Sequence, residues 1–196
     1  MTITTTKNPF RTSRIKPGTL PYLLPLGQTL ERLVERLEGF QWQAQIVGPH
    51  GSGKTTLLHD LVPACEARGK QACRIQLRDG TSSLPISRTE INRWSHQTLV
   101  VIDGYEQLSR INRWQLQRWV NRSGCGLLAT VHRAVRMPVL FRTPVSIEST
   151  RRIVAQLLDD NSCISPEDIT KAFERCDGNV REVLFSLYDV YFDRMR

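Results

Sequence analysis

Apolar residues change their spacing along this chain, and each change predicts a different kind of element. Residues 1–25 have no period: they are polar and carry Pro9, Pro17, Pro21 and Pro25, which fix φ and remove amide donors, so an extended arm is expected. From Leu26 to Leu37 the apolar positions Leu26, Leu30, Leu33, Val34 and Leu37 fall at helical spacing and predict an amphipathic helix. Gln43–Val47 reads as a short strand running into a glycine-rich turn. Thr55–Ala67 returns to helical spacing through Leu57, Leu58, Leu61 and Val62, with Pro63 as an expected kink. Ala72–Leu77 reads as a second strand, and 78–87 as a turn-rich loop. Thr98–Ile102 is a continuous apolar run rich in β-branched residues, of the kind buried on both faces of a parallel sheet. A helix is predicted from Tyr105 to Asn121, a fourth strand over Gly126–Val131 and a fifth over Pro144–Ile147.

Strands alternating with helices predict an α/β fold: a parallel five-stranded sheet with helices on both faces. From Ser149 the pattern is purely helical, and Ser165-Pro166-Glu167-Asp168 has the residues of a capping box with proline in the first turn. The chain therefore divides into an arm (1–25), an α/β core (26–148) and a small all-α C-terminal segment (149–196). No internal repeat or low-complexity tract interrupts this order.

The turn after the first strand carries the chemistry. Gly48-Pro49-His50-Gly51-Ser52-Gly53-Lys54-Thr55 matches G-x-x-x-x-G-K-[ST] at every fixed position, after a strand and at the start of a helix. Glycines let successive backbone N–H groups converge on phosphate oxygens, and the helix adds the positive end of its dipole. Residues Gly48, Pro49, His50, Gly51, Ser52, Gly53, Lys54, Thr55 and Thr56 are thus the candidate nucleotide-binding set. Lys54 would carry charge to the β/γ-phosphates and Thr55 would ligate magnesium. Leu99-Val100-Val101-Ile102-Asp103, an apolar strand ending in a carboxylate, supplies the matching second motif, with Asp103 as partner to the magnesium shell. ATP, or a related nucleoside triphosphate, and Mg2+ are the expected cofactors.

Charge and cysteine content narrow the setting. Lys and Arg number 27 against 19 acids, and 22 of the 27 are arginine, whose planar fork suits phosphates and carboxylates; a solvated surface is the plainer reading. The five cysteines are scattered without a C-x-x-C pair and read as reduced thiols, neither a disulfide framework nor a zinc site. No apolar run approaches membrane-spanning length, and no hydrophobic stretch follows the charged N-terminal segment. A cytoplasmic protein without membrane contact is expected.

Together these motifs resemble the additional-strand class of P-loop NTPases, and most of all AAA+ ATPases, over most of the chain. The resemblance implies a strand between the phosphate-loop strand and the Asp103 strand, assigned to Ala72–Leu77. It implies a polar sensor at the end of Leu127-Leu128-Ala129-Thr130-Val131-His132, with Thr130 the first choice and His132 the second. Asp177-Gly178-Asn179-Val180-Arg181-Glu182 resembles the second sensor of the helical lid, which would bring Arg181 over the γ-phosphate. Pro17, Leu20 and Gly27-Gln28 loosely resemble the linker that packs on adenine, and Arg142 lies in the region of an arginine finger. One position departs from the family. The acid that usually follows the strand-ending Asp is here Gly104, and the nearest acid is Glu106. Glu106 is the candidate water-positioning residue; an ordinary solvated acid is the alternative.

On a helical wheel, Leu108, Ile111, Leu116, Trp119 and Val120 take one side of the helix after Asp103. Arg110, Arg113, Trp114, Gln117, Arg118 and Asn121 take the other. Arginines around a tryptophan suit nucleic acid or a protein partner, against the alternative of a solvated face. Three functions remain open at this point: an AAA+-like ATPase or ATP-driven switch with a partner and possible oligomerisation, a small-molecule nucleotide-type kinase, and a nucleotide-binding module that does not hydrolyse.

Overall fold

The computed structural model describes residues 8–78, 80–158 and 163–196. After a single turn of helix, α1 (Thr12–Ile15), the chain forms α2 (Leu30–Gly39), β1 (Gln43–Val47), α3 (Lys54–Glu66), β2 (Gln71–Gln76), α4 (Arg88–Ile91) and β3 (Thr98–Asp103). A 3-10 turn (Tyr105–Gln107) leads into α5 (Arg110–Ser123), then β4 (Gly126–Val131) and β5 (Val139–Arg142). Three helices close the chain: α6 (Ile147–Leu157), α7 (Pro166–Arg175) and α8 (Val180–Arg194).

The five strands are all parallel and lie in the order β2-β3-β4-β1-β5. This corrects the expected place of the second strand. The segment assigned between the phosphate-loop strand and the Asp103 strand is at the sheet edge, and β4 fills the gap. Burial explains the choice. All six residues of β4 are buried, whereas β2 buries only Ile75, so β2 has the half-polar surface of an edge strand.

Alternate residues of the central strands feed two cores. Ala44, Ile46, Leu99, Val101 and Leu128 pack with Leu33, Val34 and Leu37 of α2 and Leu57, Leu58 and Leu61 of α3. Val47, Val100, Ile102, Leu127 and Ala129 face the opposite way, onto Leu116 and Val120 of α5. The period of two is what allows helices on both faces. Pro63 does not break α3, which continues to Glu66.

The fifth strand was expected at Pro144–Ile147 and forms instead at Val139–Arg142. Ser146 begins a helix: its side chain accepts from the Ser149 amide, and Ser149 bonds back to the Ser146 amide. Gln45, fully buried on β1, holds the approach to β5 by donating to the carbonyls of Val135 and Met137 and accepting from the Val135 amide. Arg142 therefore ends β5, exposed and in register with Val47, and does not precede the strand.

A third core joins Val154 and Leu157 of α6, Ile169 and Ala172 of α7, and Val183, Leu184 and Leu187 of α8. The expected Ser165–Asp168 capping box is present, with Pro166 at the first helical position. Phe10 from the N-terminal arm is wholly buried in this core, edge-on to Tyr191, and the Asn8 amide donates to the Tyr188 carbonyl. The arm is thus anchored at the helical end. Twelve residues later Tyr22 sits on the other unit, its amide bonded to Asp60 of α3 and its ring edge-on to Phe141.

Candidate functional site

Residues Gly48–Gly53 link β1 to α3 at the C-terminal edge of the sheet, so the first amides of α3 point into the loop. Lys54 turns inward and is 8% exposed; its ammonium donates to the carbonyls of Gly48 and Pro49, both at 2.7 Å. Burial pushes its pKa below the ordinary lysine value, and the carboxylates of Glu106 and Asp103 offset part of that shift. Those acids therefore lie within electrostatic reach of the loop cation.

Two side chains, from α3 and β4, meet on Asp103 of β3. The Thr55 hydroxyl donates to Oδ2 at 2.8 Å, and the Thr130 hydroxyl donates to Oδ1 at 2.6 Å. Thr130 in turn accepts from the Gly104 amide at 2.9 Å, pinning the chain where it leaves β3. Thr55 and Asp103 offer two hard oxygens side by side, a donor pair that fits Mg2+. The loop is also held from β5: Thr143 Oγ1 and Ser52 Oγ share a 2.7 Å hydrogen bond. Thr143 was not expected at the site. Its position depends on β5 lying beside β1, which a shifted strand assignment concealed.

Gly104 explains the departure from the usual acidic position. Its φ is +88°, and a Cβ there would approach the Leu77 carbonyl oxygen to 2.9 Å. A side chain at this residue is excluded by backbone and by space together. The left-handed turn instead sends the chain through the 3-10 turn, where Glu106 meets His132. Glu106 Oε1 lies 3.1 Å from His132 Nδ1, and the His132 ring lies against His50 of the phosphate loop, tilted by 47° with centroids 3.6 Å apart. Thr130 and His132, expected as alternatives for one sensor, are both at the site with different partners. Nothing in the spacing of His50, Glu106 and His132 announces their meeting.

The helical segment reaches the loop at its apex. A Cβ on Gly51 would land on the Asn179 amide oxygen, so only glycine permits this approach. Asn179 is the N-cap of α8, accepting from the Glu182 amide. Arg181 follows two residues later, exposed, with its guanidinium over the Phe185 ring at 5.8 Å. Among the described residues it makes no ion pair with Asp177 or Glu182. On the opposite side the Tyr22 ring lies against Gly53, and burial pushes its phenol up to about 12. Of the residues likened to an adenine linker, Leu20 packs towards the helical core and Gly27 is exposed.

The helix after Asp103 differs from its wheel. It starts at Arg110, and Ile111, placed with the core side, is 69% exposed beside Trp114 at 61%. Arg113, placed on the free side, turns in: Nε donates to the Leu108 carbonyl and Nη2 to the Glu106 carbonyl at 2.6 Å. At about 100° per residue Ile111 falls nearly opposite Val120 within α5, so the helix's own period places it outside. Arg110 and Arg118 remain outside, the latter over the Trp114 ring.

Comparison with known proteins addresses the fold. No protein-family model matches the sequence, and no curated protein matches it. Among solved structures, NtrX from Brucella abortus, in complex with ATP, matches with a TM-score of 0.53 at 14% identity, over 85% of this chain and 49% of that one. The fold is an AAA+-like P-loop NTPase fold. This chain spans about half the length of the NtrX chain. C. elegans PCH-2 matches at 12% identity with a TM-score of 0.40, over 85% of this chain and 66% of that one. Among the described residues no helix is long and apolar enough to cross a membrane, and all five cysteines are free.

Proposed function

We propose that the chain binds ATP with Mg2+ and hydrolyses it, as an AAA+-like ATPase or ATP-driven switch. The observation that carries this reading is the junction of Lys54, Thr55, Asp103 and Thr130 at one edge of the sheet. Backbone amides of Gly48–Gly53 and the Lys54 ammonium would hold the phosphates. Thr55 and Asp103 would hold Mg2+, which draws the phosphate charge together and favours attack at the γ-phosphorus. Thr130 keeps Asp103 oriented through Oδ1, and Glu106 orients the attacking water. Arg181, on α8 beside the loop apex, is the group through which the helical segment, acting as a lid, would distinguish ATP from ADP.

The proposed partner surface is the outer side of α5. The helix carries Arg110, Arg113, Arg118 and Arg122 and no acid, with Ile111 and Trp114 exposed among them. This composition suits a polyanionic partner. Arg113 joins the helix to the turn that carries Glu106, a direct route from that surface to the site.

Calorimetry with ATP–Mg2+ tests the site: wild type should bind, and Lys54→Ala should lose at least about 100-fold in affinity while keeping its thermal unfolding transition. Equal affinity in the two would show the site misread. Phosphate release with and without single-stranded nucleic acid, and with nucleoside acceptors, separates an ATPase from a nucleotide-type kinase.

A further inference from the structure

We infer that Glu106, His132 and His50 form one composite water-positioning unit, in which His132 is the positioning residue that presents Glu106 to the γ-phosphate. The inference deepens the hydrolysis reading and rests on it. Gly104, where a water-orienting acid would ordinarily follow Asp103, has neither the backbone conformation nor the room for a side chain. The function must come from elsewhere, and the only acid on the following turn is Glu106. Its two oxygens are in unlike states. Oε1 meets His132 Nδ1 at 3.1 Å, while Oε2 is buried and has no hydrogen-bond donor among the described residues. A carboxyl oxygen withdrawn from water without a hydrogen-bond partner is costly, so a site that retains one is arranged for a donor that arrives with the substrate. A water molecule aimed at phosphorus is such a donor.

Two further contacts fix the carboxylate in place. The His132 ring lies tilted against His50, so the dyad is registered to the phosphate loop itself. Arg113 holds the Glu106 carbonyl from the α5 side. Thr130 of β4 bonds to Asp103, and His132, in the bend just after β4, meets Glu106.

In the reaction, the water oxygen bonds to the γ-phosphorus as the bond from that phosphorus to the β–γ bridging oxygen breaks. The bridging oxygen leaves with the electron pair as part of ADP. Glu106 Oε2 accepts the water proton and returns it to the released phosphate. His132 donates Nδ1–H to Oε1 throughout and so keeps Oε2 aimed at the water.

The test uses the full chain and reads kcat and KM for ATP together with ATP affinity by calorimetry. Glu106→Gln should lower kcat by about 100-fold or more with ATP affinity kept. His132→Phe keeps a ring against His50 but removes the donor, and should lower kcat by about tenfold with KM unchanged. His132→Asn, whose amide can reach Oε1, should stay within about threefold of wild type, and His132→Gly should recover turnover in added imidazole. A merely structural histidine would give neither the Asn rescue nor the imidazole recovery. Undiminished kcat in His132→Phe overturns the inference, as does an Asn variant as slow as Phe with no imidazole recovery. In either case a slow Glu106→Gln leaves the hydrolysis reading standing. A wild-type chain that binds ATP but releases no phosphate overturns both.

Discussion

On the sheet side of the phosphate loop, side chains from α3 and β4 are joined by hydrogen bonds to both oxygens of Asp103. On the helical side, Asn179 and Arg181 meet the loop through one close packing contact at Gly51 and no described hydrogen bond. The sheet side is built to hold one geometry, because Thr55, Thr130 and both oxygens of Asp103 have partners that a shift would strand. The helical side touches the loop apex through packing alone. In the proposed function, binding falls to the first region and reporting on the bound state to the second, since a reporter must have somewhere to move.

The comparison breaks most visibly if Asp103 is replaced. Asp103→Ala removes the shared acceptor of Thr55 and Thr130, and ATP affinity in Mg2+ should fall about 10- to 100-fold, measured by calorimetry. Affinity in excess chelator should change much less. If both fall equally, Asp103 holds the loop and not the ion. A smaller effect is expected across the cleft. Arg181→Ala should leave ATP binding largely intact but reduce the ATP/ADP affinity ratio about three- to tenfold. An unchanged ratio makes Arg181 a surface arginine lying on Phe185.

The smallest effect tests the helical unit by itself. Asp168 caps α7 and pairs with Arg194 of α8 through both oxygens, at 2.6 and 2.8 Å. The Arg194 guanidinium first, and the Ser165 amide and hydroxyl after it, hold the Asp168 carboxyl well below the usual carboxylate range. A depressed folded-state pKa stabilises above the unfolded value and is lost as pH falls through the folded one. Wild type should therefore lose this contribution at strongly acidic pH, below about 4. Asp168→Asn should lack that acid-dependent loss, and at neutral pH should cost about 1 kcal/mol, since the arginine is largely exposed. Thermal unfolding followed by circular dichroism across pH checks the sign.

The sequence was most legible where one local signal decides a conformation. Gln43–Val47 and Gly126–Val131 form as strands at their expected limits, and the Ser165 cap forms as read, because a buried apolar run and a capping box each act within a few residues. The fifth strand was displaced because Val145 and Ile147 are apolar yet belong to the helix that Ser146 starts. The sheet order escaped since hydrophobic pattern says that a strand is buried, not which strand lies beside it. At the site, Lys54, Thr55 and Asp103 declared themselves by motif. The meeting of His50, Glu106 and His132, each named singly as a candidate, did not, because a tilted ring contact and a 3.1 Å polar contact between residues on different loops leave no spacing to read.

Phe10 carries a consequence for how the molecule assembles. It is buried against α8, and its neighbour Asn8 bonds to Tyr188, 180 positions along the chain. A ribosome completes the sheet and its phosphate loop before α8 exists, so Phe10 waits for an element made long after it. Through synthesis the arm has no burial site, while the sheet can already collapse on local contacts. Docking of Phe10 is then a late event: it ties the N-terminal arm to α8 only after the sheet that lies between them in sequence has been made.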